Sequence, residues 1–370
     1  MKGARRSRGR RLPAGLLPGL VLLLFALVGL KAAGVGPDLP GPKIFGGDPY
    51  APVNCSPSPR RLKDPSSPPP APGSWTTGPE TPEPGAELVG ASVGGLAYLV
   101  GGQDAIGKSI ATVRTFDPAT GRYAQVPDMP FRTDHVIAKG YRGDLYVVAG
   151  YHDSEPAAVF MRYSPSERRW QMLAKPPLAR GGAGGAVIGH RLYVVGGAPR
   201  SSPNARVQPY RMLAYYDFRT GRWGEGTPMP TARHHIGVTA LGSSLFVAGG
   251  RTPSDLSTNA FESYDTRTRR WSKLPHLPLG VAAMGMVSVS HEVILVGGDD
   301  ETNWQTGGGW ATNASWAYNP ATRRWRRLPD LPHAIQAAAV VNVGGRIRTF
   351  AGNDCPGLHR TREALSLSAP

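Results

Sequence analysis

The sequence predicts an all-β protein built from one unit repeated about every fifty residues, and three observations predict it. The first is a Gly-Gly or Ala-Gly pair beginning at Gly101, Ala149, Gly196, Gly249, Gly297 and Ala351, with steps of 48, 47, 53, 48 and 54 residues. Each pair ends a short apolar run, such as Leu145 to Val148 or Val293 to Val296. The second is a pair of aromatics seven residues apart: Phe116 and Tyr123, Tyr163 and Trp170, Tyr216 and Trp223, Tyr264 and Trp271, Tyr318 and Trp325. The third is a proline seven residues further on, at Pro130, Pro177, Pro230, Pro278 and Pro332. A fixed period with constant internal spacings marks a repeat architecture, in which each unit buries its apolar face against its neighbours.

These residues at these spacings resemble the kelch repeat, and the resemblance implies a β-propeller with one four-stranded blade per unit. The chemistry of each position agrees. The paired glycines fall where a strand must end beside the crowded axis of the ring, a place for a residue without Cβ. Clusters such as Asp117-Pro118-Ala119-Thr120-Gly121 and Asn319-Pro320-Ala321-Thr322 are turn chemistry between strands. The aromatics fall on the third and fourth strands, where they are expected to fill the space between blades.

Trp75 stands upstream of the first full unit, with Pro82 seven residues later, and the chain downstream of Ala351-Gly352 offers only the alternation Ala364-Leu365-Ser366-Leu367 with no Trp after it. The expectation is therefore that the segment around Trp75 supplies the outer strand of the last blade. Six blades result, over residues 74–370, with no orphan sheet edge between first and last. The 48 glycines and 37 prolines suit many short strands joined by tight turns, and no helical periodicity is sustained after residue 36.

The segment before the ring differs in kind. Residues 1–11 carry Lys2, Arg5, Arg6, Arg8, Arg10 and Arg11 with no acid, and residues 12–30 hold no charge. Nineteen such residues are long enough to cross a hydrocarbon core of ~30 Å as a helix, so they read as a transmembrane signal-anchor. A cleaved signal peptide, cut near Ala32-Ala33-Gly34, is the alternative and makes a secreted protein. By the positive-inside rule the basic leader stays cytoplasmic and the propeller lies outside. Residues 31–73, with Pro37, Pro40, Pro42, Pro49, Pro52 and the run Pro68-Pro69-Pro70, read as an extended tether.

Two cysteines remain, Cys55 in the tether and Cys355 in the last blade. Outside the cytoplasm two thiols in one chain tend to pair, so a bridge between them is expected, with free thiols or intermolecular pairing as alternatives. The formal net charge is +16, six of it in the leader, which favours an anionic partner. An exported location argues against nucleic acid. The arginine runs beside the outer-strand tryptophans, such as Arg168-Arg169 and Arg326-Arg327, read as a solvated rim.

In kelch propellers the face bearing the blade-to-blade links commonly binds ligands, so the resemblance directs attention there. The links contribute Arg132, Asp134, His135, Arg180, Arg233, His234, His235 and His333. Arginine recurs two or three residues after the proline in three successive units, which predicts a basic half-mouth or, alternatively, arginines that hold loop carbonyls. The longest loop belongs to the fifth unit and combines Asp299, Asp300 and Glu301 with Trp304 and Trp310, a mixture suited to a sugar, whose ring stacks on aromatics while its hydroxyls meet carboxylates. Arg132, Asp134, His135, Arg180, Arg233, His235, Asp299, Asp300, Trp304 and Trp310 are thus the candidate ligand-binding residues.

Enzyme signatures are otherwise missing from the sequence: no Walker loop, no Gly-x-Ser-x-Gly elbow, no paired-His metal motif. His234 and His235 are adjacent, so on an extended strand they point to opposite faces, and no metal or cofactor is expected. Galactose oxidase-like enzymes share the repeat but need a Cys-Tyr crosslink at copper. The six-bladed architecture is also similar to N-acetylneuraminate epimerases, a resemblance of architecture alone. The expectation is a monomeric, membrane-tethered, extracytoplasmic propeller binding a glycan, an acidic small molecule or a protein at its channel face. A sugar epimerase or mutarotase in the same mouth is the alternative.

Overall fold

A computed structural model describes residues 73–200, 207–254, 257–303, 308–354 and 360–368. Among them there is no helix, and six four-stranded antiparallel sheets succeed one another along the chain. Blade 1 consists of Val89–Val93, Leu96–Val100, Val113–Asp117 and Arg122–Gln125. Blades 2 to 5 repeat this order, beginning at Ile137, Gly181, Gly237 and Gly285. Blade 6 takes Ala339–Val343, Arg346–Phe350 and Ala364–Ser368 from the end of the chain and Thr76–Thr77 from its other side, with Thr76 opposite Ser366 and Thr77 opposite Leu365. The expected ring closure is therefore present, and Trp75 is buried beside it.

Burial follows strand position. The second strands, such as Leu145 to Val148 and Val293 to Val296, are buried along their length because blades pack against both of their faces. Outer strands are solvated except for the aromatic, as in Arg169–Met172, where Trp170 alone is half-buried. The outer-strand aromatics also donate across the gap to the neighbouring blade: Trp170 Nε1 to Pro127 O at 2.8 Å, Trp223 Nε1 to Ala174 O at 2.8 Å, Trp271 Nε1 to Thr227 O at 2.8 Å and Trp75 Nε1 to Pro329 O at 3.0 Å. Tyr123 does the same through its hydroxyl, to Pro79 O at 2.8 Å. Each is an apolar plate, half-buried except for the buried Trp75, with one polar edge that finds a partner.

The turn residues behave as their chemistry requires. Asp117, Asp217, Asp265 and Asn319 each accept the amide two residues on, at 2.8, 3.0, 2.7 and 2.9 Å. At the strand ends near the axis, Gly297 adopts φ +62°, and a Cβ there would lie 2.2 Å from Ile335 O, so a side chain is excluded on two grounds.

The uncharged run 12–30, the tether to residue 72, Cys55, Cys355 and Trp304 lie outside the described residues.

Candidate functional site

The six links between blades turn at one equivalent residue each. Glu87, His135, Gly182, His235, Ala283 and Ala337 all adopt left-handed backbone, with φ between 50° and 60°. Each stands fourteen residues before the Gly-Gly or Ala-Gly pair of its own blade. Backbone bonds run from link to link around the axis: His135 N to Glu87 O at 3.3 Å, His235 N to Gly182 O at 2.7 Å, Ala283 N to His235 O at 3.0 Å, Ala337 N to Ala283 O at 2.9 Å and Glu87 N to Ala337 O at 2.9 Å. The left-handed turn aims each amide at its neighbour and sets each residue on the wall of the central cavity, which encloses about 140 Å³.

Three of the six carry polar side chains, and these three converge. His135 Nε2 lies 3.1 Å from Glu87 Oε2 and 3.1 Å from His235 Nε2. His135 Nδ1 is hydrogen-bonded to the buried carboxylate of Asp134, which also accepts from Ser109 Oγ at 2.5 Å. Tyr151 packs edge-on to the His135 ring, with centroids 5.2 Å apart. His235 Nδ1 meets His234 Nδ1 at 2.6 Å. The reason His235 can lean across the ring is Gly182: a Cβ there would stand 3.0 Å from His235 Nδ1.

Electrostatics separates the three imidazoles. Burial alone would discharge His135, but the Glu87 and Asp134 carboxylates outweigh it and push the pKa up to about 10. Burial, reinforced by Arg251 and His135, drives His234 down to about 3. Burial also holds His235 well below the ordinary range, with His234 adding to it. The cationic His135 thus donates from both nitrogens, so His235 must present a lone pair at Nε2 and donate from Nδ1 to His234. Beneath this group Lys139 lines the same cavity among Val89, Ile137, Val238 and Met286.

The other predicted residues are dispersed. Arg180 and Arg233, expected to make half the mouth basic, are fully buried. Arg180 Nη1 donates to Gly196 O and Met212 O, both at 3.0 Å, while Arg233 donates to Gly249 O at 2.6 Å and Ala260 O at 3.0 Å and pairs with Glu262 at 2.7 Å. Both guanidiniums turn inward to carbonyls at the strand ends, adding a second donor to Met212 O and Ala260 O, the alternative recognised in the sequence. Arg132 alone of the three reaches solvent, 3.8 Å from Asp153.

The fifth-blade loop is a hairpin, Asp299–Asn303 paired with Gly308–Ala311. Asp299 is buried against Arg251 at 3.0 Å, and Asp300 accepts from Ser257 Oγ at 2.8 Å. Trp310 packs against the apolar cluster of Phe246, Phe261 and Trp316. Asp299 and Trp310 thus help hold the hairpin to the propeller.

Sequence reasoning missed Glu87 and misjudged His234 with His235. The left-handed φ of 54° at His235 breaks the extended alternation, so the two rings meet on one side. The legible signal was the fixed offset of fourteen residues before each glycine pair, which aligns Glu87 with His135 and His235.

Comparison with known proteins agrees with the architecture. The family description "KLHDC2/KLHL20/DRC7 Kelch-repeats domain" matches residues 182–362, and "Kelch motif" matches residues 84–130. The chain is 26% identical over 255 residues to Kelch-like protein 36 of Mus musculus, covering 66% of this chain and 40% of that protein. It is 27% identical over 195 residues to Kelch-like protein terF of Aspergillus terreus, covering 49% and 41%. Alpha-scruin of Limulus polyphemus is 25% identical over 171 residues, covering 45% and 19%. The chain therefore spans less than half the length of these relatives. The solved structure of YjhT superposes with a TM-score of 0.67 at 16% identity, covering 79% of this chain and 97% of that one, a likeness of fold.

Proposed function

Because the chain belongs to the kelch-repeat propeller family, we propose that it is a binding module whose protein or small-molecule partner docks at the channel mouth around Glu87, His135 and His235. The observation that carries this reading is the convergence of those three side chains, with Lys139 beneath, on a cavity otherwise walled by small and apolar residues. Blade packing has no use for such a group, and a few convergent polar side chains in an apolar cavity are the usual makings of a ligand site. Kelch propellers typically bind proteins. In this reading the N-terminal run 12–30 anchors the chain and the proline-rich segment holds the propeller off the outer membrane face, which the six leader cations and the absence of charge in the run support. The test is a calorimetric screen of glycans, acidic metabolites and acidic peptides against the full chain. Binding lost in Glu87→Gln and kept in a rim variant, Arg326→Gln, supports the reading, and binding insensitive to Glu87 refutes it.

A second reading, proton transfer on a sugar, is favoured by one observation: the Glu87 carboxylate faces the His135 imidazole at 3.1 Å inside the mouth. Deuterium incorporation into a bound sugar in heavy water, lost in Glu87→Gln, is its signature.

A further inference from the structure

We infer that Glu87, His135 and His235 form a divalent metal centre at the channel mouth, one that takes zinc and leaves its fourth position open to the cavity. The inference goes beyond the binding reading, because it assigns a ligand to the side chains themselves.

The donor atoms are one carboxylate oxygen and two imidazole nitrogens, all within 4.8 Å of one another. Around a tetrahedral zinc with bonds of ~2.0–2.2 Å, donor atoms stand about 3.3 Å apart. The 3.1 Å separations from His135 Nε2 to Glu87 Oε2 and to His235 Nε2 need little adjustment to admit an ion. Two histidines with one carboxylate and an open position are the donor set of a reactive zinc or iron site rather than of a closed structural one.

The surroundings make the stronger case. A metal-bearing histidine gives its second nitrogen to a carboxylate or another polar group, which fixes the tautomer and aims the first. Both histidines do so here. Asp134 holds His135 Nδ1 and is itself held by Ser109, and His234 holds His235 Nδ1. The Nε2 atoms are left on the cavity side, His135 Nε2 3.1 Å from Glu87 Oε2 and the donor atoms of all three residues within 4.8 Å of one another. With no ion bound, a proton on His135 Nε2 lies between Glu87 and His235, and a divalent cation at that point would take the proton's place, accepting the two Nε2 lone pairs and the Glu87 carboxylate.

Access is also provided. Gly182, Ala283 and Ala337 occupy the remaining places in the ring of six, so half of the mouth carries no side chain beyond Cβ. The fourth ligand, a water or an oxygen of a docked partner, has that space.

The experiment uses the full chain, stripped with a chelator and titrated with Co²⁺ as a visible probe and with Zn²⁺ by calorimetry. One equivalent of Co²⁺ with a d–d band, displaced by Zn²⁺, is expected. His135→Ala/His235→Ala should abolish it, Glu87→Gln should weaken it at least several-fold, and His234→Ala, which touches only the far nitrogen of His235, should weaken it by ~10–100-fold. His276→Ala, at an exposed site, should bind as the natural chain does. Thermal unfolding checks each variant. Should the double variant fail to fold, Glu87→Gln and His234→Ala decide. No saturable uptake by the natural chain, or uptake unchanged in those two variants, overturns the assignment.

Discussion

Arg180 and Arg233 occupy equivalent places in successive links, yet their surroundings predict unequal consequences of losing the charge. Arg233 neutralises the buried Glu262, whereas the Arg180 contacts are to carbonyl oxygens. Arg233→Gln should therefore cost ~3–5 kcal/mol, because it strands a buried carboxylate, and Arg180→Gln nearer ~1–3 kcal/mol. Denaturant midpoints compare them, and equal losses would show that the ion pair adds nothing. Lys139 allows a pH test. Burial lowers its pKa from 10.5 to about 8, so below that pH the folded protein carries the full cost of a desolvated ammonium. Between roughly pH 8 and 10 the unfolded chain binds more protons than the folded one, so this residue's contribution to stability rises with pH across that window. The Lys139 side chain keeps part of its surface open to the cavity, which limits the effect. Lys139→Met should then be more stable than the natural chain by ~1–2 kcal/mol at pH 7, with the gap closing by about pH 10 in thermal melts.

At the scale of the element, the two-residue strand Thr76–Thr77 matters more than its length suggests. It completes blade 6, and Trp75 beside it donates to Pro329 O. Deleting residues 74–84 should abolish cooperative unfolding, since the strand Ala364–Ser368 would be left as an unpaired edge with its apolar face uncovered. Normal calorimetric melting of the truncated chain would refute this. Trp75→Phe loses both the donor and the five-membered ring from a buried cluster, for ~1–3 kcal/mol. The fifth-blade hairpin behaves differently from a free sugar-binding loop. Trp310 lies on the cluster containing Phe246 and Phe261, so Trp310→Ala should lower the melting temperature by the equivalent of ~1–3 kcal/mol whether or not a ligand is present.

At the scale of the whole molecule, ring closure ties the two ends of the propeller into one sheet, so stability at the first blade depends on residues more than 280 positions away, such as Arg362, whose backbone carbonyl accepts the Thr81 amide at 2.9 Å. The proposed anchor belongs to this scale too. Membrane partition of the expressed protein with Met1 or its neighbours retained is the expected outcome. A mature amino terminus near residues 33–36, read by mass spectrometry, would make it a secreted protein instead.

The sequence by itself determined the repeat, its six-fold count, the turn chemistry at Asp117 or Asn319 and the closure by Trp75, and its resemblance to the kelch repeat supplied the four-stranded blade. All of these rest on short-range rules: a period, a residue without Cβ, an Asx turn, an aromatic at a fixed offset. Only the tertiary structure brought the candidate site together. Arg180 and Arg233 look in sequence like mouth residues, and nothing local says that strand-end carbonyls deep in the blades will claim them. Glu87, His135 and His235 lie 48 and 100 residues apart, and their approach depends on a ring closing with each link bent left-handed at the same offset. That convergence is a sum of six blade rotations, a long-range quantity that no single stretch of chain encodes.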